Sequence, residues 1–388
     1  MWHKTTLVCL TILAVAFASA FIVFVTMVQS GITDGAVKGY GPYELVIGAE
    51  GSESQLMLHT FYHIGAPTGN ISYEMMTEIE NCELAEVAYP MTRGDSYKGF
   101  PLIGVPTGYL STRYSEAVLS GKLYEKPGQV VIGAHVSEKG SLKIGDHFHA
   151  SHGAIEDDVH DELEYEVVGI LPTLGTPDDK GIFTTLDHAW IVHDDTGHTP
   201  GKAAKDIDEG DITTIVVKPK GIMELQALEQ LFNGMDGIQA TYSGKTISDL
   251  LSILDTGSAM ITILSLVCVV IATISVLLSL MAVTAERKKD IGLLRLLGKS
   301  KGYIISTMLM EGVFITILGG VVGIVLGHIS SFMLRSTIFE YAGITISPWA
   351  WNPMEWYIII GAIVLGLVAA IIPALRSYQV NPLILFYS

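Results

Sequence analysis

The segment AERKKDIGLLRLLGKSKG, residues 285–302, lies between two long apolar runs. It holds six of the 23 lysine and arginine residues of a 388-residue chain whose formal net charge is −17. A run of about 20 apolar residues is long enough to cross a bilayer. Runs of that length are Thr5–Val28, Gly257–Val283, Tyr303–Leu334 and Trp356–Leu375. The sequence therefore predicts four transmembrane helices around one long polar region.

The charge distribution predicts the orientation of these helices. Segment 285–302 carries six basic and two acidic residues, whereas residues 30–255 carry 14 basic and 35 acidic residues. Short loops rich in lysine and arginine stay in the cytoplasm. Segment 285–302 is therefore predicted inside and the acidic region outside, with Lys4 and Arg376 placing both termini inside. An alternative interprets AFASA (16–20) as the end of a cleaved signal peptide, but the apolar run continues through FIVFVTMV and favours an uncleaved anchor.

The polar region, residues 31–255, is predicted to fold as an extracytoplasmic α+β domain. YELVIGA (43–49) and TTIVVKP (213–219) are typical of buried strands. GIMELQALEQLFNGMDG (221–237) predicts a helix, and its apolar stripe is Met223, Leu225, Leu228 and Leu231. Short strands between Gly, Asp and Pro turns predict a β-rich insert at about 112–205 within a porter-like subdomain. The predicted strands of this insert are GQVVIGAHV, KIGDHFHAS, EYEVVGILP and GIFTTLDHAWIV. Cys82 is the only cysteine of this region, so an internal disulfide is not available to it.

The second apolar run continues a helical pattern that starts before the membrane. A helix from residue 247 to 284 would be about 57 Å long at ~1.5 Å per residue, which exceeds a hydrocarbon core of ~30 Å. The excess is predicted to project outward as a stalk. Such a rod would connect segment 285–302 mechanically to the acidic domain.

The longer segment ERKKDIGLLRLLGKSKGYIISTMLMEGVFITILGGVVGIVLG resembles the signature of FtsX-type ABC transporter permeases, the group that includes MacB and the lipoprotein-releasing permeases. The C-terminal IIPALRSYQVNPLILF and the plan of one span, a large domain and three spans are also similar to that group. A basic amphipathic stretch before the first span is expected of the family, whereas this sequence begins MWHK. The resemblance divides the chain as follows: a first transmembrane helix (1–30), an extracytoplasmic MacB-like domain (31–255), a second transmembrane helix with stalk (256–284), a coupling helix (285–302), and FtsX-like helices three and four with the tail (303–388).

The resemblance implies that segment 285–302 is a coupling helix that docks on a separate ATP-binding subunit. The residues that match the family signature in this role are Glu286, Arg287, Ile291, Gly292, Arg295, Gly298 and Glu311. Glu311 lies in the third span, where an ionisable residue is costly unless paired, so an internal ion pair and a direct role in coupling are both open. The resemblance further implies a homodimer or a paired permease, a bacterial inner-membrane location, and a periplasmic adaptor or substrate protein as partner. Lipid surrounds the spans, and no nucleic-acid partner is expected.

The chain is not expected to hydrolyse ATP. A P-loop requires G-x-x-x-x-G-K-[ST], and the two GK[ST] fragments, at 244–246 and 298–300, are preceded by Gln239 and Leu293 where the first glycine should stand. No catalytic residue is predicted, and ATP and Mg²⁺ are expected on the partner. Gly319, Gly323 and Gly327 place small residues on one face of the third span, which allows close packing of another helix, either within the chain or at a dimer seam.

Two groups of histidines are candidate ligands. The first group lies in an acidic stretch at 146–164, and we call its members the four hairpin histidines: His147, His149, His152 and His160. Imidazole and carboxylate groups are suitable ligands for Zn²⁺. The alternative is that this stretch is a solvated hairpin without a metal. His59 and His63 stand four residues apart and would share a helix face. They are either ligands of a metal or haem iron, or ordinary residues of the surface or of a subunit interface.

The predicted function is a permease that couples ATP hydrolysis on its partner to movement of the external domain, which exports or extracts a substrate, with metal or haem among the candidates. One alternative is a force-transmitting regulator of a cell-envelope hydrolase without transport. Another is a metal-sensing membrane protein that has no ATPase partner.

Overall fold

The computed structural model describes residues 2–114, 119–152, 159–193, 210–343 and 345–378. The chain divides into two compact units. The helical unit contains residues 1–32, 254–341 and 346–388, and the α/β domain contains residues 33–253 and 342–345.

The described helices are α1 (Trp2–Tyr40), α2 (Glu53–Tyr62), α3 (Glu74–Cys82), α4 (Thr107–Arg113), α5 (Ala134–Gly140), α6 (Leu186–His193), α7 (Ile222–Asn233), α8 (Ser243–Glu286), α9 (Lys288–Leu296), α10 (Lys301–Ala342) and α11 (Met354–Tyr378). The described strands are β1 (Leu45–Ala49), β2 (Ile71–Ser72), β3 (Ala85–Tyr97), β4 (Phe100–Gly104), β5 (Ser120–Gly121), β6 (Gln129–Ile132), β7 (His147–His152), β8 (Val159–Ile170), β9 (Ile182–Thr184), β10 (Asp211–Ile212), β11 (Thr214–Pro219) and β12 (Ile238–Tyr242).

Four helices are long and apolar enough to span a membrane. Their apolar segments are Thr6–Tyr40, Ile263–Glu286, Lys301–Glu340 and Met354–Arg376. The predicted combination of four transmembrane helices and an α+β domain is confirmed: four helices are able to span a membrane, and the remaining domain combines helices with a mixed sheet. Helix α8 has 44 residues, which at ~1.5 Å per residue gives about 66 Å, so it is longer than the sequence predicted.

Small residues let the membrane helices approach closely. Val15 and Ala18 of α1 share one buried cluster with residues of α8, α10 and α11. A Cβ atom at Gly312 of α10 would lie 2.8 Å from the carbonyl oxygen of Gly366 in α11. Because the backbones meet there, only glycine fits, and van der Waals packing rather than apolar burial selects the partner helix in lipid.

The described part of the α/β domain contains a ten-stranded sheet and a separate two-stranded sheet of β2 and β10. The strand order of the ten-stranded sheet is β12-β1-β11-β3-β4-β9-β6-β8-β5, and β7 pairs with both β3 and β8. Strand β1 lies between β11 and β12, with Leu45 opposite Val217 on one side and Tyr242 on the other. Val46 packs into the buried cluster of α2, whereas Leu45 and Ile47 pack into that of α3 and α7. This burial on both faces explains the continuous apolar run of β1.

The structure corrects the sequence interpretation in three places. The run LDHAWIV, predicted as part of a strand, forms α6, and the strand predicted at 128–136 ends at Ile132. The apolar stripe of α7 is also partly wrong, because Met223 is 81% exposed while Phe232 is fully buried. Short apolar runs do not distinguish a strand from a helix by periodicity alone.

Candidate functional site

Helix α9 is the central element of the candidate coupling site, and it is apolar on two faces. Ile291 is buried against Ile304, Met308 and Ala374. Gly292 is also buried. The leucines on the other face are exposed: Leu293 by 52%, Leu296 by 51% and Leu297 by 72%. One face thus fixes α9 to the helical unit, while the other presents apolar side chains.

The boundaries of α9 follow from its terminal residues. At Gly298 the backbone turns into the left-handed region, with a φ of +85°. The N–H groups of Gly298 and Lys299 donate to the carbonyl oxygens of Arg295 and Leu294. This pair of hydrogen bonds is the Schellman motif, which requires a left-handed residue and so favours glycine. Gly298 therefore ends α9, as the sequence predicted.

An ion pair connects the start of α9 to α10. The Arg287 Nη1 atom lies 3.2 Å from the Glu311 Oε2 atom, and the two side chains are 40% and 25% exposed. Glu311 is therefore internally paired, one of the two roles that the sequence left open. Partly exposed pairs contribute only about 0.2–1 kcal/mol to stability, so this pair orients more than it stabilises. Glu286 precedes Arg287 as the last residue of α8, and Arg295 is half-buried in the last turn of α9.

The three glycines of α10 face α1 of the same chain. A Cβ atom at Gly319 would lie 2.7 Å from the Val15 Cβ atom, and one at Gly327 would lie 2.6 Å from the Val23 Cβ atom. At Gly323 it would lie 2.5 Å from the carbonyl oxygen of Ala16. The glycines therefore form a packing seam within the chain.

The side chains of His59 and His63 are buried and line one small cavity together with Thr60 and Arg93. The Nδ1 atom of each histidine has no hydrogen-bond partner among the described residues. Burial, followed by Arg93 and His63, lowers the pKa of His59 to about 3. The guanidinium of Arg93 donates to the carbonyl oxygens of both histidines. A fixed positive charge beside two neutral imidazoles disfavours a metal cation there, and the prediction of a ligand at this pair stays a prediction.

His63 also belongs to a buried ionic group that sequence patterns did not indicate. Asp178 is fully buried and lies 2.9 Å from both the His63 Nε2 and the Arg113 Nε atoms. The hydroxyl of Tyr114 donates to Asp178 over 2.7 Å. Burial alone would raise the pKa of Asp178, but Arg113 and the hydrogen bonds from His63 and Tyr114 outweigh it and hold that pKa below its usual value. We call these four residues the Asp178 cluster.

The hairpin histidines are placed only in part. His147 and His149 lie exposed on one face of β7, with Phe148 buried between them, as strand alternation predicted. The His147 Nδ1 atom lies 3.3 Å from Glu164 of β8. The side chains of His152 and His160 are outside the described residues. Among the described side chains, no group of three or more His, Cys, Asp or Glu is arranged to hold a metal ion, so the zinc site stays a prediction.

Comparisons with known proteins match both parts of the chain. Residues 8–233 match the MacB-like periplasmic core domain, and residues 262–382 match the FtsX-like permease C-terminal region. An ABC transporter permease of Methanocaldococcus jannaschii is 24% identical over 236 residues, which cover 57% of this chain and 54% of the relative. The ABC transporter permease YknZ of Bacillus subtilis is 22% identical over 162 residues, which cover 40% of this chain and 38% of the relative.

A third relative is the macrolide export ATP-binding/permease protein MacB of Neisseria gonorrhoeae. It is 26% identical over 206 residues, which cover 50% of this chain and 29% of the relative. This chain thus spans about half or less of the length of these relatives. The MacB-like domain model alone covers more than half of this chain, and the resemblance drawn from the sequence is confirmed. The chain belongs to the family of ABC transporter permeases that combine a MacB-like periplasmic core domain with an FtsX-like permease C-terminal region.

Proposed function

We propose that this multi-pass membrane protein is the permease subunit of an ABC transporter and couples ATP hydrolysis by a separate ATP-binding subunit to movement of its α/β domain. The charge distribution supports an orientation with α9 in the cytoplasm and the α/β domain outside the bacterial plasma membrane. In this proposal ATP and Mg²⁺ are bound by the ATP-binding subunit, and residues 1–388 of this sequence contain no P-loop motif.

The observation that carries the proposal is the two-faced helix α9. Its exposed leucines suit the apolar groove of a partner, because the opposite face of α9 is already packed through Ile291 against α10 and α11. Ile291 and the Arg287–Glu311 pair fix the helix to α10. A force applied by the partner to α9 would therefore reach α10 directly, and α8 through the chain.

Further support comes from continuity along α8. Ile247, in the first turns of this helix, is buried in the same cluster as Tyr43, Phe61 and Tyr109 of the α/β domain. The helix then runs without interruption to Glu286, next to α9. We propose that α8 is the stalk that carries the displacement, and that the external movement expels or extracts a substrate.

The proposal is tested by copurification of the ATP-binding subunit with the full-length permease. Leu293→Glu/Leu296→Glu places two charges on the exposed face of α9 and is expected to abolish copurification, and Arg295→Glu is expected to weaken it. Leu231→Glu is the matched control, since Leu231 is 41% exposed on α7. Undiminished copurification with the double variant would show that α9 is not the docking helix.

A further inference from the structure

The Asp178 cluster lies at a meeting point of four chain segments in the α/β domain. His63 is the residue that ends α2, Arg113 is the last residue of α4, and Tyr114 follows it. Arg113 also donates to the carbonyl oxygen of Gly39 in the last turn of α1. Asp178 therefore supplies the negative charge that holds the ends of α2 and α4 together, and through Arg113 it reaches α1.

Asp178 lies in a short 3-10 helix, Pro177–Lys180, within a connection that we call loop 172–181, and hydrogen bonds within this loop hold its shape. The carboxylate of Asp179 accepts the N–H groups of Leu174 and Gly175, each over 2.8 Å. The Thr176 and Tyr114 hydroxyls are 2.9 Å apart. The loop is thus a preformed element whose position is set by the cluster.

The same loop binds the segment that directly follows α10. The Thr345 hydroxyl donates to the carbonyl oxygen of Gly175 over 3.0 Å. Gly343 is buried, and a Cβ atom there would lie 3.9 Å from the Pro177 Cβ atom. Residues 342–345 accordingly belong to the α/β domain, although the helix before them is a membrane span.

We propose that Asp178 is a positioning residue: it fastens the segment after α10, through loop 172–181, to helices α2 and α4, so that displacement of α10 enters the α/β domain by a second route besides α8. The buried ion pair between Arg113 and Asp178 supports a fixed connection between loop 172–181 and helix α4. Removal of one partner from a buried ion pair leaves the other charge without compensation, so the Arg113 guanidinium resists separation from Asp178. This proposal rests on the proposed function, because it presumes that α9 and α10 move with the ATP-binding subunit.

Disulfide formation measures the fastening directly. In a full-length permease with Cys9, Cys82 and Cys268 replaced by Ala, Pro177→Cys/Gly343→Cys should oxidise, since a Cβ separation of 3.9 Å suits a disulfide. The φ of +66° at position 343 strains any side chain there, and this strain is the same in every variant that is compared. Asp178→Asn is expected to slow this cross-link at least tenfold, because the uncompensated Arg113 guanidinium should favour the open position of the loop over the closed one by more than about tenfold. Asp236→Asn, at an exposed carboxylate of the same domain, should leave the rate unchanged. An unchanged rate with Asp178→Asn would overturn the proposal.

A second measurement separates positioning from mere stability. In the complex with the ATP-binding subunit, ATP should change hydrogen exchange in peptides from α2 and α4, and Asp178→Asn should remove at least about nine-tenths of that change while copurification persists. Retention of the full nucleotide response, with only a lower melting temperature, would show a structural role and refute the proposal. Loss of copurification in the α9 variants is a separate result that concerns the proposed function alone.

Thr345→Val keeps the proposal testable if Asp178→Asn does not fold. It removes only the hydroxyl that donates to Gly175, and a hydrogen bond of this kind corresponds to roughly a fivefold change in an opening equilibrium. The cross-link between positions 177 and 343 should slow measurably, by at most that factor, because its rate follows the fraction of time that the segment lies on the loop. No change in this variant, with a folded α/β domain, would contradict the fastening of the segment to the loop.

Discussion

Gly323→Ala tests whether α1 and α10 meet through backbone contact. A Cβ atom at Gly323 would lie 2.5 Å from both the Ala16 carbonyl oxygen and the Ser19 Cβ atom, and 3.1 Å from the Ala16 Cα atom. Two of these atoms belong to the backbone of α1 and cannot rotate away. To restore an ordinary contact of about 3.4 Å or more, α1 must move by almost 1 Å, because protein interiors have no free space to absorb the methyl group.

The expected cost follows from that displacement. Overpacking by one methyl group typically costs about 1–3 kcal/mol. The two neighbouring contacts of the seam, at Gly319 and Gly327, would loosen with the same movement, which favours the upper part of this range. For about 2 kcal/mol we expect the melting temperature of the detergent-solubilised permease to fall by roughly 2–3 °C.

The matched control is Gly361→Ala in α11. A Cβ atom at Gly361 meets nothing within 4 Å, so this variant should melt at the wild-type temperature or slightly above it, since alanine favours a helix by about 1 kcal/mol over glycine. If Gly323→Ala melts with the wild type, or if both variants fall equally, the close packing of α1 on α10 is refuted.

Three further predictions concern pH, the ion pair and metal. Burial lowers the pKa of His59 to about 3 and that of His188 to about 4; the unfolded chain binds more protons below pH ~6.5, so the melting temperature should fall between pH 6.5 and 4, and less steeply in His59→Gln/His188→Gln. Arg287→Glu and Glu311→Arg should each reduce partner-coupled ATP hydrolysis and the double variant should restore it, whereas three equally impaired variants would deny the pair a role. Zn²⁺ titrated calorimetrically into the full-length permease should bind to the wild type and not to a variant with all four hairpin histidines changed to Ala; equal heats would exclude that site.

Periodicity and charge in the sequence were sufficient to predict the membrane helices and α9. Gly298 indicated the end of α9 because a Schellman motif requires a left-handed residue, and this requirement is local. The same is true of His147 and His149, whose shared face follows from strand alternation alone. Features that depend only on residues adjacent in sequence could therefore be located from the sequence.

The Asp178 cluster could not be predicted in this way. His63, Arg113 and Asp178 are up to 115 residues apart in sequence, and none belongs to a periodic pattern or a motif. Their burial depends on how the sheet brings α2, α4 and loop 172–181 together. Likewise His59 could be assigned to a helix, but only the packing of that helix on the sheet showed that it is buried.

The most direct test of the central claim is site-specific photocross-linking from α9. A benzoylphenylalanine placed at Leu296 of the full-length permease, in its native membrane, should cross-link to a protein whose peptides include a P-loop sequence, and the cross-link should depend on nucleotide. The same group at Leu231 should not yield that product. Cross-links to lipid alone at position 296, with a permease that is folded and present at wild-type amounts, would contradict the assignment of α9 as the helix that couples this protein to ATP hydrolysis.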